Sequence, residues 1–201
     1  MTVPGRVEAA ELLLSLDPPV WFLRHARAVA EVASWLAART ANAARDSVNR
    51  PLVEAAGLLH DVDKLLPYDH PAGVLPHGEG SAAWLASQGH PELGPAVAGH
   101  PVTRLIDGDR YRRWMATASR EERIVAYADK RAGQRLEPMA DRFASWERRY
   151  PTGWSPDEAA AVRRRAAELE ADVCFAAGVA PADVRRLRWT GAALRAAGGR
   201  T

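Results

Sequence analysis

The stretch Pro51-Leu52-Val53-Glu54-Ala55-Ala56-Gly57-Leu58-Leu59-His60-Asp61-Val62-Asp63-Lys64 decides how the rest of the chain is read. Proline suits the first position of a helix, where a backbone N–H has no intrahelical acceptor. The apolar run that follows ends on an imidazole and a carboxylate side by side. At the end of a buried helix such a pair is costly to desolvate without a partner. A divalent metal is such a partner, because it takes imidazole nitrogen and carboxylate oxygen together.

Working outward, nearly every segment reads as helix. Val7 to Leu16 is a short amphipathic stretch stopped by Asp17-Pro18-Pro19. From Val20 to about Thr40, Trp21, Phe22, Val29, Val32, Trp35 and Leu36 recur at helical spacing, with His25 in the first turns. Asn42 to Arg50 reads as a polar linker. After the dyad, Pro67, Pro71, Gly73, Pro76 and Gly78 mark a loop. Helices are expected over Gly80–Gln88 and Leu93–His100. Ser119-Arg120-Glu121-Glu122 has the spacing of a capping box and launches a helix to Asp129. Further helices are expected over Pro138–Arg149, Asp157–Phe175 and Pro181–Ala197. Alternating β-branched stretches are absent, so the expected fold class is all-α. Pro151, Gly153 and Pro156 interrupt the pattern between Tyr150 and Ser155. They divide a main domain, residues 1–150, from a helical C-terminal extension, residues 151–201, expected to pack on it.

Bulk composition narrows the classes. The chain has 201 residues, 47% hydrophobic and 26% charged, ordinary values for a globular protein. One cysteine, Cys174, excludes an internal disulfide framework, suits a cytoplasmic setting, and reads as a small buried residue. No run is long and apolar enough for a membrane span, and no secretory signal is evident. A net charge of +2 gives no strong nucleic-acid signal. The clusters Arg163-Arg164-Arg165 and Arg185-Arg186 read as solvated or salt-bridged faces. Trp21, Trp35 and Trp84 are expected in the core. Of 27 basic residues only Lys64 and Lys130 are lysines. Lys64, three residues after Asp61, reads equally as chance or as a site that wants a compact ammonium. Lys130, next to Asp129, reads as chance or local pairing.

His25, His60, His77 and His100 lie at the edges of apolar helical segments, whereas His70 and His90 lie beside prolines in loops. A lone His25 would be a core histidine bonded to a carbonyl. In the company of His60-Asp61, and of Asp129 at the end of Ile124-Val125-Ala126-Tyr127-Ala128, it changes meaning. Three helices would present two imidazoles and two carboxylates to one point, as helical bundles do when they build metal sites. His70 and His90 read as solvated loop residues, with His70 a candidate substrate contact.

The order His25, then Ala56-Gly57-Leu58-Leu59-His60-Asp61-Val62-Asp63-Lys64, then Ala128-Asp129 resembles the HD superfamily of metal-dependent phosphohydrolases, over roughly residues 19–150. The resemblance implies an all-α bundle with a divalent metal held by His25, His60, Asp61 and Asp129. By similarity to two-metal members, His77 and His100 would bind a second ion and Asp61 would bridge the two. The metal would be Mn, Fe, Ni, Co or Zn, as one ion or two. The implied activity is hydrolysis of a phosphoester or phosphoanhydride by metal-activated water, with a small phosphorylated substrate and a nucleotide as first choice. Asp61 and Lys64 would be catalytic, and Lys64 would also meet the phosphate. Arg131 and Arg135, one turn apart after Asp129, are candidate phosphate contacts, though exposed helix arginines are the more ordinary reading. Asp63 departs from the glycine that many members carry there, and would either disturb Lys64 or face solvent. Two alternatives stay open: a non-catalytic metal- or nucleotide-binding module, and a di-iron oxygenase on the same fold. Oligomeric state is open.

Overall fold

The computed structural model describes residues 3–43, 47–150 and 153–199. Among these residues there are ten α-helices and no strand, as an all-α fold requires. They are α1 (Arg6–Leu14), α2 (Val20–Asn42), α3 (Arg50–Leu59), α4 (Glu79–Ser87), α5 (Gly94–Gly99), α6 (Gly108–Thr117), α7 (Arg120–Arg131), α8 (Met139–Arg149), α9 (Pro156–Ala177) and α10 (Thr190–Gly198). Short 3₁₀ turns follow α3 (Val62–Leu65) and α9 (Pro181–Asp183), and precede α5 (Pro91–Leu93) and α6 (Val102–Leu105). None of the described helices is long and apolar enough to cross a membrane.

The centre is made by α2, α3 and α7, each of which touches the other two. Phe22, Val29 and Leu36 of α2, Val53, Leu58 and Leu59 of α3, and Ile124, Val125 and Tyr127 of α7 are all fully buried. Each such side chain contributes about 1.5–3 kcal/mol on burial. Small residues let α3 approach α2 closely: a Cβ on Gly57 would lie 3.0 Å from the Cα of Ala30. A larger residue there would push α3 off α2, and His60 with it. Ser119 starts α7 as its sequence predicts, its hydroxyl accepting from Glu122 N–H at 3.2 Å while Glu122 accepts from Ser119 N–H at 2.9 Å.

Two buried acids tie the outer helices to this centre. Glu54 of α3 accepts from Arg6 of α1 through two bonds of 2.7 Å, from Arg50 at 2.9 Å and from Ser34 of α2 at 2.5 Å. Burial alone would raise its carboxyl, but the bonds from Arg6, Ser34 and Arg50 hold it below the ordinary value. Glu31 of α2 accepts from Arg186 at 3.0 Å and 2.8 Å and from Thr190 at 2.5 Å, while its carbonyl accepts from Leu187 N–H at 3.0 Å.

Several expectations are corrected. Pro181–Ala197 is not one helix: a 3₁₀ turn ends at Asp183, residues 184–189 are non-helical, and α10 starts at Thr190. Docking of Leu187 and Arg186 onto Glu31, and burial of Val184 and Trp189, outweigh a weak local helix preference. Leu93–His100 becomes α-helical only from Gly94. Helix α6 was not expected; Asp107 caps it, accepting from Asp109 and Arg110 N–H at 2.8 Å and 3.0 Å. Trp84 is buried, but Trp21 is 53% exposed, because neighbouring Phe22 takes the core-facing position. Helix α2 runs through Asn42, and residues 44–46 of the expected linker lie outside the described residues, as does Pro151 of the expected interruption. Arg163 and Arg186 are paired with Glu147 and Glu31. Cys174 is buried and free.

Candidate metal centre

His25 lies in the second turn of α2, His60 at the C-terminal cap of α3, His100 at that of α5, and Asp129 in the last turn of α7. His77 lies on the turn that precedes α4. Asp61 follows His60 directly and is 2% exposed. Its two oxygens face opposite groups. Oδ2 is 3.4 Å from His25 Nε2 and 3.5 Å from His60 Nε2; Oδ1 is 3.3 Å from His77 Nε2 and 3.2 Å from His100 Nε2. Asp129 Oδ1 joins the first group, 3.4 Å from His25 and 3.6 Å from His60.

The histidine tautomers follow from their partners. A carbonyl oxygen only accepts, so the Nδ1 atom facing it carries the hydrogen. His25 donates to Gly133 O at 2.8 Å, His60 to Gly57 O at 3.0 Å and His100 to Val97 O at 2.6 Å. His77 Nδ1 donates to the Asp63 carboxylate at 3.0 Å. All four rings therefore turn Nε2 inward. The His25 and His60 Nε2 atoms are 3.1 Å apart, and those of His77 and His100 3.2 Å. Two lone pairs at that distance repel unless a positive centre lies between them, a proton or a metal ion. Asp61 Oδ1 is buried with no hydrogen-bond donor, another sign of the same demand.

The electrostatics agree. Burial would lower the His25 pKa, but hydrogen bonds and charge from Asp129 and Asp61 raise it to about 9. His77 is likewise raised to about 9 against burial, by Asp61 and Asp63. His100 is lowered to about 4, chiefly by burial. Burial opposes ionisation of Asp61 and Asp129, yet Asp61 is held well below the carboxylate range by His60 and the other imidazoles, and Asp129 by Lys130 and the imidazoles. Each half of the cluster attracts one positive charge. Two groups, His25–His60–Asp61 and Asp61–His77–His100, bring their donor atoms within 4.8 Å of one another and could hold a metal. Ligands at ~2.1 Å from an ion, at octahedral or tetrahedral angles, lie ~3.0–3.4 Å apart, close to the 3.1–3.6 Å found here.

Of the other expected site residues, Lys64 lies at the cluster and the two arginines do not. Lys64 Nζ is 2.7 Å from Asp61 Oδ2, with its side chain 45% exposed at the rim. Arg131 is not brought to the cluster: its buried guanidinium donates to Tyr127 Oη, Glu137 O, Glu170 and Pro181 O. Arg135 is exposed and pairs with Glu137 at 3.4 Å. His90 is buried rather than solvated, 3.6 Å from Glu92 and 3.8 Å from Glu8. His70 is half-buried and accepts from Ala72 N–H at 3.1 Å.

Two residues that the sequence left ambiguous support the cluster. Lys130 is fully buried, 3.0 Å from Asp129 Oδ2 and bonded to the His100 carbonyl, so local pairing is the correct reading of it. Asp63 neither disturbs Lys64 nor faces solvent, because it accepts from His77. For Lys130 the signal was its rarity in an arginine-rich chain.

An all-helical bundle that gathers four imidazoles and the Asp129 carboxylate around the Asp61 carboxylate defines a helical protein with a candidate metal centre. The model of the HD domain matches residues 22–133, more than half of the chain and a span that contains all six of these side chains, so the chain belongs to the HD domain family. No curated protein and no solved structure matches it. HD domains bind divalent metals and typically have a hydrolase fold.

Proposed function

We propose that the protein is a metal-dependent phosphohydrolase that cleaves a phosphoester or phosphoanhydride, with a nucleotide as the first candidate substrate, and that it works in the cytoplasm. The observation that carries this reading is the division of the Asp61 carboxylate between two imidazole pairs whose Nε2 atoms face inward. His25, His60, Asp61 Oδ2 and Asp129 Oδ1 would hold one ion. Asp61 Oδ1, His77 and His100 would hold a second. Mixed nitrogen and oxygen donors suit Mn, Fe, Co, Ni or Zn. A bound ion would supply positive charge for phosphoryl oxygens and would lower the pKa of a bound water toward ~7.

The protein's own groups do the rest. Carbonyls and Asp63 fix the imidazole orientations, so four Nε2 atoms are aimed before any substrate arrives. Lys130 holds Asp129 from behind while its neighbour Oδ1 faces the cluster. Lys64 shares Asp61 Oδ2, an oxygen with lone pairs to spare, and its ammonium can meet charge that develops on the phosphoryl group. We divide the chain into this metal-centre domain, residues 1–150, and the extension, residues 151–201. Contacts of α9 with α2 and α7, and of α10 with α1, support the packing of one on the other.

Measurement of metal content, and of hydrolysis of a phosphoester panel with Mn or Fe present, tests the proposal. Asp61→Ala is expected to lose both bound metal and turnover. An Asp61→Ala protein that keeps both would overturn it, and oxygen consumption by the reduced-iron protein would point to an oxygenase instead.

A further inference from the structure

We propose that Asp63 is the positioning residue of the second metal subsite: by holding His77 it decides whether the protein binds two ions or one. The inference rests on the two-ion reading above.

Three of the four imidazoles are fixed by backbone carbonyls. His60 and His100 each use the carbonyl three residues back in their own helix, at 3.0 Å and 2.6 Å, and His25 uses Gly133 at 2.8 Å. His77 has no such support. It lies on a turn rather than in a helix, and its side chain is 37% exposed where those of His60 and His100 are 0% and 1%. Its Nδ1 anchor is the Asp63 carboxylate, 3.0 Å from Oδ2 and 3.2 Å from Oδ1.

The same carboxylate holds the turn behind the ring. Asp63 Oδ2 accepts from Gly78 N–H at 2.7 Å. Gly78 has a φ of +84°, and a Cβ there would lie 2.8 Å from the Pro101 ring, so the turn has one tight path past the segment that carries His100. Asp63 N–H donates to Ser81 Oγ of α4 at 2.9 Å, which orients Asp63 itself. Its side chain is 7% exposed. One buried carboxylate thus connects the 3₁₀ turn after the His60-Asp61 dyad to His77, to Gly78 and to the start of α4. A carboxylate behind a ligating imidazole fixes its tautomer and strengthens it as a donor, an effect worth about 10- to 100-fold in metal affinity. With Asp61 Oδ1 and His100 the only other donors of this subsite group among the described residues, the second ion depends on where Asp63 places His77.

The test uses the full chain, stripped with a chelator and titrated with Co²⁺, with bound ions counted by equilibrium dialysis and their environment followed by the visible Co²⁺ spectrum. Wild type is expected to bind two ions. Asp63→Gly should keep the first at its wild-type affinity and bind the second about 10- to 100-fold more weakly. Asp63→Asn, which retains an acceptor for the ring N–H but not the charge, should fall between. Circular dichroism checks that helix content is unchanged. A merely structural role would weaken both ions together or neither, so either pattern in a folded variant overturns the proposal. If Asp63→Gly does not fold, the Asp63→Asn titration decides. A wild-type protein that binds fewer than two ions overturns the two-ion reading, and the role of Asp63 with it.

Discussion

At the scale of residues, Asp61 is one carboxylate facing two sets of imidazoles, and Lys64 is the cation that shares it. Burial disfavours the Lys64 charge, but Asp61, with Asp129 and Asp63, raises its pKa above the ordinary lysine value, so it stays protonated at neutral pH. If Lys64 meets charge that develops during hydrolysis, Lys64→Ala should lower kcat by about 10²- to 10³-fold, the usual cost of one lost transition-state donor. Metal content should be unchanged, and Lys64→Arg should restore little, since a planar fork does not replace a compact ammonium. Steady-state kinetics and metal analysis on the same samples check this; an unchanged kcat would remove Lys64 from the chemistry. Only the resemblance to two-metal members pointed to His77 and His100, but His25, His60, Asp61 and Asp129 were legible because each stood in or at the end of an apolar helical run. Arg131 was not, because its surroundings are Glu170 and Pro181, 39 and 50 residues away. Asp63 was misread for a similar reason: its partner His77 lies across a loop of 13 intervening residues whose path the sequence does not spell out.

At the scale of elements, helices with strong apolar spacing or a capping signal stood close to their expected places, as α2, α3, α7 and α9 show. The misses came where local preference was weak. Helix α6 is rich in arginine, and only Tyr111 and Trp114 are buried in it, too sparse a stripe to read. The segment before α10 is non-helical because Glu31 of another helix binds it. Glu54 offers the pH test at this scale. Its folded pKa lies below the unfolded one, so its bonds to Arg6, Ser34 and Arg50 stabilise the bundle fully above the unfolded value, ~4.3. That contribution fades as pH falls through the folded pKa. Glu54→Gln should therefore be less stable than wild type at pH 7 by about 1–3 kcal/mol, with the gap closing in acid. Urea unfolding of both proteins from pH 7 to pH 3 measures it, and a gap independent of pH would show that the Glu54 bonds do not stabilise the bundle in this way.

At the scale of the whole molecule, the C-terminal helices are latched to the helices that carry the cluster. Glu31 shares α2 with His25, and Arg131 follows Asp129 by two residues while donating to Glu170 and to the Pro181 carbonyl. Loss of one latch should be felt both as stability and as local opening. Glu31→Gln is expected to lower stability by about 1–3 kcal/mol and to speed protease cleavage within residues 184–189; unchanged urea midpoint and cleavage rate would show that the latch carries nothing. The packing of this region was expected from the sequence, but the acid–arginine pairs that fix it join residues far apart, 155 positions for Glu31 and Arg186 and 39 for Arg131 and Glu170, and left no local trace. Whether one carboxylate divides two ion sites can be seen by anomalous scattering from crystals grown with Mn²⁺. Two peaks ~3.5–4 Å apart are expected, one beside His25, His60 and Asp129 and one beside His77 and His100, with Asp61 between them. A single peak on one side of Asp61, or none at the cluster, would contradict that division.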